Sequence, residues 1–92
     1  MNESAVEKRL RKGVDAMGGL CEKFVSPGRR HVPDRIVTLP KGEIHFVECK
    51  RPGESPRPGQ LRDHERRARL GVMVHVVSTA DEVDALLEKW AC

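Results

Sequence analysis

The sequence predicts a small α/β domain with one mixed β-sheet flanked by helices, in the order α-β-β-β-α-β-α. Three observations carry this. Apolar residues recur at helical spacing near both ends of the chain. Short β-branched runs, separated by proline and glycine turns, lie between them. A near-continuous apolar run, "VMVHVV", follows a second helical segment and reads as a strand buried on both faces.

Taken in order, Ser4-Ala-Val-Glu7 has capping-box form, and Val6, Leu10, Val14 and Met17 follow at helical spacing. This predicts a helix over 5–17, closed by Gly18-Gly19. "CEKFVSP" is a short strand ended by Pro27-Gly28, and "RRHVPD" is a basic turn leading into the strand "RIVTL". Pro40-Lys-Gly-Glu43 is a turn that joins "RIVTL" to "IHFVECK" as a hairpin. The proline-rich "RPGESPRPG" excludes regular structure. A helix then runs from Pro58 to Leu70 and stops at Gly71. After "VMVHVV", Thr79-Ala-Asp-Glu82 is a second capping box, opening a helix with Val83, Leu86, Leu87 and Trp90 on its inner stripe. Residues 1–92 read as one domain, without repeat or linker.

The chain has 92 residues, a net charge of +3, and 34% charged residues. A mildly basic balance is compatible with nucleic acid but is weak support alone. Three aromatic residues of the Phe, Trp and Tyr type (Phe24, Phe46 and Trp90) argue against a single-strand binder that stacks bases. No apolar stretch is long enough to cross a bilayer, so no membrane partner is expected. Cys21, Cys49 and Cys92 lack the spacing of a zinc site or redox pair. With a charged N-terminal segment unlike a signal peptide, this points to free thiols in a reducing, cytoplasmic setting.

The chemistry concentrates at the end of "IHFVECK". Ile44, Phe46, Glu48 and Lys50 share one strand face, with Ile44 and Phe46 expected to pack and the charges expected at the rim. An antiparallel hairpin brings Asp34, at the start of the preceding strand, to the same edge. Two carboxylates beside an amine can hold a hard divalent cation and neutralise charge on a phosphoryl group. The bland alternative is a turn aspartate and a surface ion pair worth roughly 0.2–1 kcal/mol. The combination on adjoining strands favours the functional reading.

On the following helix Gln60, His64 and Arg67 share a stripe, and Arg62, Arg66 and Arg69 form a basic one. Gln60 either reaches the strand tip or faces solvent at the helix start; spacing does not choose. Arg57 and the arginine stripe suit duplex phosphates, or a solvated face partnered by Asp63 and Glu65. Glu7 either serves its capping box or joins the site, and Lys8, Arg9, Arg11 and Lys12 are a further basic surface. Arg29, Arg30 and Arg51 flank the same edge, and His31 is a candidate DNA contact. His45 and His75 read as structural.

The segments "VPDRIV", "FVECKRPG", "PRPGQLRDHERRARLG" and "VMVHVV", in this order, resemble the virus-type replication-repair nuclease (VRR-NUC) domain of the PD-(D/E)xK superfamily. The resemblance runs from Glu7 to about Ser78. It implies a restriction-endonuclease-like α-β-β-β-α-β core and Mg²⁺- or Mn²⁺-dependent hydrolysis of DNA phosphodiesters. On the matching positions it implies Asp34, Glu48 and the Cys49 carbonyl as metal ligands, Glu7 as the first-helix acid completing the site, Lys50 as catalytic lysine, and Gln60 as the glutamine following the core motif. His31 departs from the pattern, which has glycine there. Stand-alone relatives resemble phage proteins that pair into homodimers and cut branched DNA such as four-way junctions, which implies action in the host cytoplasm. The competing readings are a non-catalytic DNA-binding module and a domain whose basic faces bind an acidic protein.

Overall fold

The structure, a computed structural model, describes residues 2–91; Cys92 and its expected free thiol lie outside them. In chain order the elements are α1 (Glu3–Ala16), β1 (Leu20–Lys23), β2 (Arg35–Thr38), β3 (Ile44–Cys49), α2 (Pro58–Arg69), β4 (Val74–Val77) and α3 (Ala80–Ala91), with a 3₁₀ turn at Pro40–Gly42. The strands form one sheet in the order β1-β2-β3-β4. The first two pairings are antiparallel and β3 pairs β4 in parallel, so the sheet is mixed. A parallel neighbour requires a crossover, which α2 supplies.

The order of elements and the β2–β3 hairpin are as expected; three local expectations are corrected. First, α1 begins at Glu3, because the Asn2 side chain accepts the Ala5 N–H at 2.8 Å. Ser4 is therefore inside the helix, and Glu7 is released from the capping role. Second, β4 is an edge strand and not one buried on both faces: Val76 is 38% exposed, and the adjoining Met73 70%. Third, the polarity gradient along β3 is inverted. Ile44, at its apolar start, is 57% exposed, whereas Glu48 and Lys50 are 3% and 8% exposed. The charges lie inside the molecule.

One sheet face carries the core. Val6, Leu10 and Val14 of α1 are fully buried with Val37, Val47 and Cys49, and α3 adds Val83 and Leu86. Burying each such aliphatic side chain contributes about 1.5–3 kcal/mol. The α3 box forms as the sequence implied: Thr79 Oγ1 accepts the Glu82 N–H at 3.1 Å. Its return bond runs one residue upstream, from the Ser78 N–H to the Glu82 carboxylate at 2.8 Å. Trp90 stacks on His45, ring centroids 4.6 Å apart, with His75 edge-on at 5.7 Å, so both histidines are structural.

The opposite face is covered differently. Asp63 is the buried residue of α2, and no apolar α2 side chain is buried. Arg67 lies over the rings of Phe46 and Phe24, 5.0 and 5.7 Å from their centroids, while those rings meet edge-to-face at 5.3 Å. Helix α2 is thus seated by charge and cation–π contact, where α1 and α3 are seated by aliphatic burial.

Candidate active site

Asp34 is fixed from both sides before any ligand is considered. Its carbonyl accepts the Phe24 N–H at 2.9 Å, and both carboxylate oxygens lie 3.2 Å from the Cys49 N–H, which donates to them. The fully buried Pro33 precedes it. The β2–β3 register then places Glu48 and Lys50 beside it. Lys50 is held at the backbone by donation to the Val77 carbonyl at 2.9 Å. Its Nζ lies 3.4 Å from Glu48 Oε2.

The N-terminal ends of two helices close on this strand end. From α2, Gln60 donates its amide to Glu48 Oε2 at 2.8 Å, while its carbonyl oxygen accepts the Arg57 N–H at 2.8 Å. Of the two positions that spacing allows Gln60, solvent or strand tip, it takes the strand tip. From α1, Glu7 and Glu3 reach Asp34, with carboxylate oxygens of all three within 4.8 Å of one another. Arg35 Nη2 holds Glu7 Oε2 at 2.7 Å.

Burial and the charge of Glu48 push the Asp34 carboxyl up to about 7, with Glu7 and Glu3 adding to the effect against the opposing Cys49 N–H bond. Burial also raises Glu48, partly offset by Lys50. Glu48 Oε1 is buried without a hydrogen-bond partner. Crowded carboxylates, one with an unused buried oxygen, suit a hard divalent cation, which takes oxygen ligands and removes the mutual repulsion. The residues therefore fit Mg²⁺ or Mn²⁺. Cys49 and Cys21 are buried thiols whose ionisation is suppressed by that burial.

The basic residues divide into two groups. Arg57, Arg62, Arg66, Arg69 and Arg30 are exposed, as expected for a solvent or phosphate face. Arg51 is also exposed but pairs with Glu54 at 3.1 Å, and Arg69 with Glu65 at 4.0 Å. Arg29 lies 3.9 Å from the buried Asp63 carboxylate. His31 occupies a left-handed conformation, φ 68°, which glycine adopts without strain. Its ring packs on Gly59, where an added Cβ would fall 2.6 Å from Nε2.

No family model matches the chain. A phage protein named "Putative nuclease p44", from Acyrthosiphon pisum secondary endosymbiont phage 1, is 54% identical over 81 residues, spanning 88% of this chain and 87% of its own length. A solved structure described as a VRR_NUC domain superposes with a TM-score of 0.88 at 42% identity, covering 94% of each chain. The chain belongs to the VRR-NUC family. Within this VRR-NUC fold, sequence reasoning missed Glu3, Arg35 and the burial of Asp63. Glu3 was hidden by placing the helix start two residues late. Arg35 carried a usable signal, a charged residue on the strand face shared with Val37, which demands a partner from α1.

Proposed function

We propose that residues 1–92 act as a single divalent-metal-dependent DNA endonuclease domain that hydrolyses phosphodiester bonds. One observation carries this reading: Asp34, Glu48, Lys50 and Gln60 converge from three elements on one strand end, with a buried Glu48 oxygen left unpartnered. Asp34, Glu48, the Cys49 carbonyl and Glu7 would hold Mg²⁺ or Mn²⁺, which when bound supplies a Lewis acid beside the scissile phosphate. Lys50 offsets negative charge developing on the phosphoryl oxygens, and its burial strengthens that effect. Gln60 keeps the Glu48 carboxylate oriented. Arg35 does the same for Glu7. Arg30, Arg51, Arg57, Arg62, Arg66 and Arg69, with His31, contact the DNA backbone and fix its position without reading sequence.

The finer reading is a homodimer acting on branched DNA in the cytoplasm of a phage host. Two sites related by a two-fold axis match a substrate that needs one cut on each of two strands. The exposed apolar side chains of Leu70, Met73 and Val76 beside the β4 edge are compatible with such pairing.

Cleavage of a labelled four-way junction and of a matched linear duplex, with Mg²⁺, Mn²⁺ or EDTA, tests both levels. The expected result is metal-dependent cutting that falls about 10²–10³-fold in Lys50→Ala. A junction preference supports the finer reading. Tight, salt-sensitive binding with no cutting by either metal would leave only a binding module.

A further inference from the structure

We propose that Asp63 is a built-in stand-in for a DNA phosphate, holding Arg67 permanently and Arg29 exchangeably. This deepens, and rests on, the reading of the site as a DNA nuclease. Asp63 is 3% exposed, yet its carboxylate faces two cations from different parts of the chain. The Arg67 contact, Nε to Oδ2 at 2.7 Å, is a hydrogen-bonded pair within α2, and Arg67 is further fixed over Phe46 and Phe24. The Arg29 contact differs in kind. At 3.9 Å it is Coulombic without a hydrogen bond, and the Arg29 side chain is 51% exposed.

The two partners have different consequences. Arg67 ties Asp63 to the sheet, so it seats α2 and with it Gln60 on Glu48. Arg29 lies on the segment between β1 and Asp34, the chain that leads into the metal-ligating position. In the free protein the Asp63 charge holds this segment against α2. A backbone phosphate arriving at the exposed guanidinium offers shorter, bidentate bonds than Asp63 provides. Arg29 then transfers to the phosphate, while Asp63 keeps Arg67 and α2 stays seated. Asp63 is a positioning residue; it touches neither metal nor the reacting phosphate.

The test is salt-dependent binding of a labelled duplex in EDTA, followed by steady-state cleavage with Mg²⁺, for wild type, Asp63→Asn, Arg29→Gln and the double variant. Asparagine retains an acceptor for Arg67 but releases Arg29. The expected outcome for Asp63→Asn is severalfold tighter binding with the log–log salt slope unchanged, because Arg29 meets the phosphate in both complexes but no longer has to leave Asp63, whereas Arg29→Gln loses that contact and its slope becomes shallower by about 0.9. KM and kcat should fall together, tighter capture with a less firmly placed Gln60, and Arg29→Gln should cancel the gain in affinity. A variant that merely loosened the fold would bind more weakly. Equal or weaker binding by Asp63→Asn overturns the proposal. Should Asp63→Asn fail to fold, Arg29→Gln alone decides: a slope shallower by about 0.9 and a lower melting temperature of the free protein sustain it, and no change in either refutes it. Wild-type protein that binds no duplex sinks the nuclease reading as well. Binding and cleavage by wild type, with no gain in affinity for Asp63→Asn and no slope change for Arg29→Gln, sink this proposal alone.

Discussion

Asp34 shows how a residue of the proposed site can work against its own fold. Its carboxyl is raised from the ordinary 3.8 to about 7 by burial and by neighbouring carboxylates. The native state therefore binds a proton that the unfolded chain has already released. The contribution to stability is full below about pH 4 and is lost as pH rises through about 7. In EDTA, Asp34→Asn should melt higher than wild type at about pH 8, with the difference shrinking towards about pH 4. Added Mg²⁺ should raise the wild-type melting temperature at about pH 8 and leave the variant's nearly unchanged. A variant no more stable than wild type at high pH would show that the crowded carboxylates cost the fold nothing. Strand alternation and a hairpin sufficed to bring Asp34, Glu48 and Lys50 together on paper. Glu3 and Arg35 escaped because their partners are distant in sequence, 28 residues separating Arg35 from Glu7, and the burial of Asp63 escaped because an aspartate four residues before an arginine reads as a surface pair.

At the scale of elements, the two layers differ in what holds them. α1 relies on fully buried aliphatic residues, so Leu10→Ala should destabilise by about 2–5 kcal/mol in urea unfolding. The turn from α1 into β1 is equally tight. A Cβ on Gly19 would lie 2.8 Å from the Thr38 carbonyl oxygen and 2.9 Å from Val14 Cγ1. Because the first of these is backbone, Gly19→Ala should cost about 1–3 kcal/mol, readable in the same experiment. Periodicity disclosed α1 and α3 because their buried faces are apolar. It disclosed the extent of α2 through Pro58 and Gly71 but could not disclose its seating, since a helix whose buried residue is an aspartate has no apolar stripe to read. The same limit explains the misplaced gradient on β3: hydrophobicity assigned Ile44 to the interior, while pairing geometry put Glu48 and Lys50 there.

Across the whole molecule, positive charge is carried by exposed arginines around a buried acidic centre, so DNA affinity should fall steeply with ionic strength. A log–log slope measured by salt titration gives the number of phosphates contacted, at about 0.9 per phosphate. A slope near zero would contradict the assignment of the arginine surface. Among the described residues no helix is long and apolar enough to cross a membrane. The mixed sheet was legible as a whole because each connection left a local mark, whereas the edge position of β4 was not, since "VMVHVV" carries no sign of which neighbours it lacks. The stacking of Trp90 on His45 makes the fold self-reporting to light. The sequence has one tryptophan, and it lies with α3 on the sheet face away from α2 and its arginines. Its fluorescence therefore follows integrity of the aliphatic layer, without an attached dye and on the face opposite the arginines proposed to contact DNA. Ultraviolet emission can thus tell a variant that has lost its chemistry from one that has lost its shape.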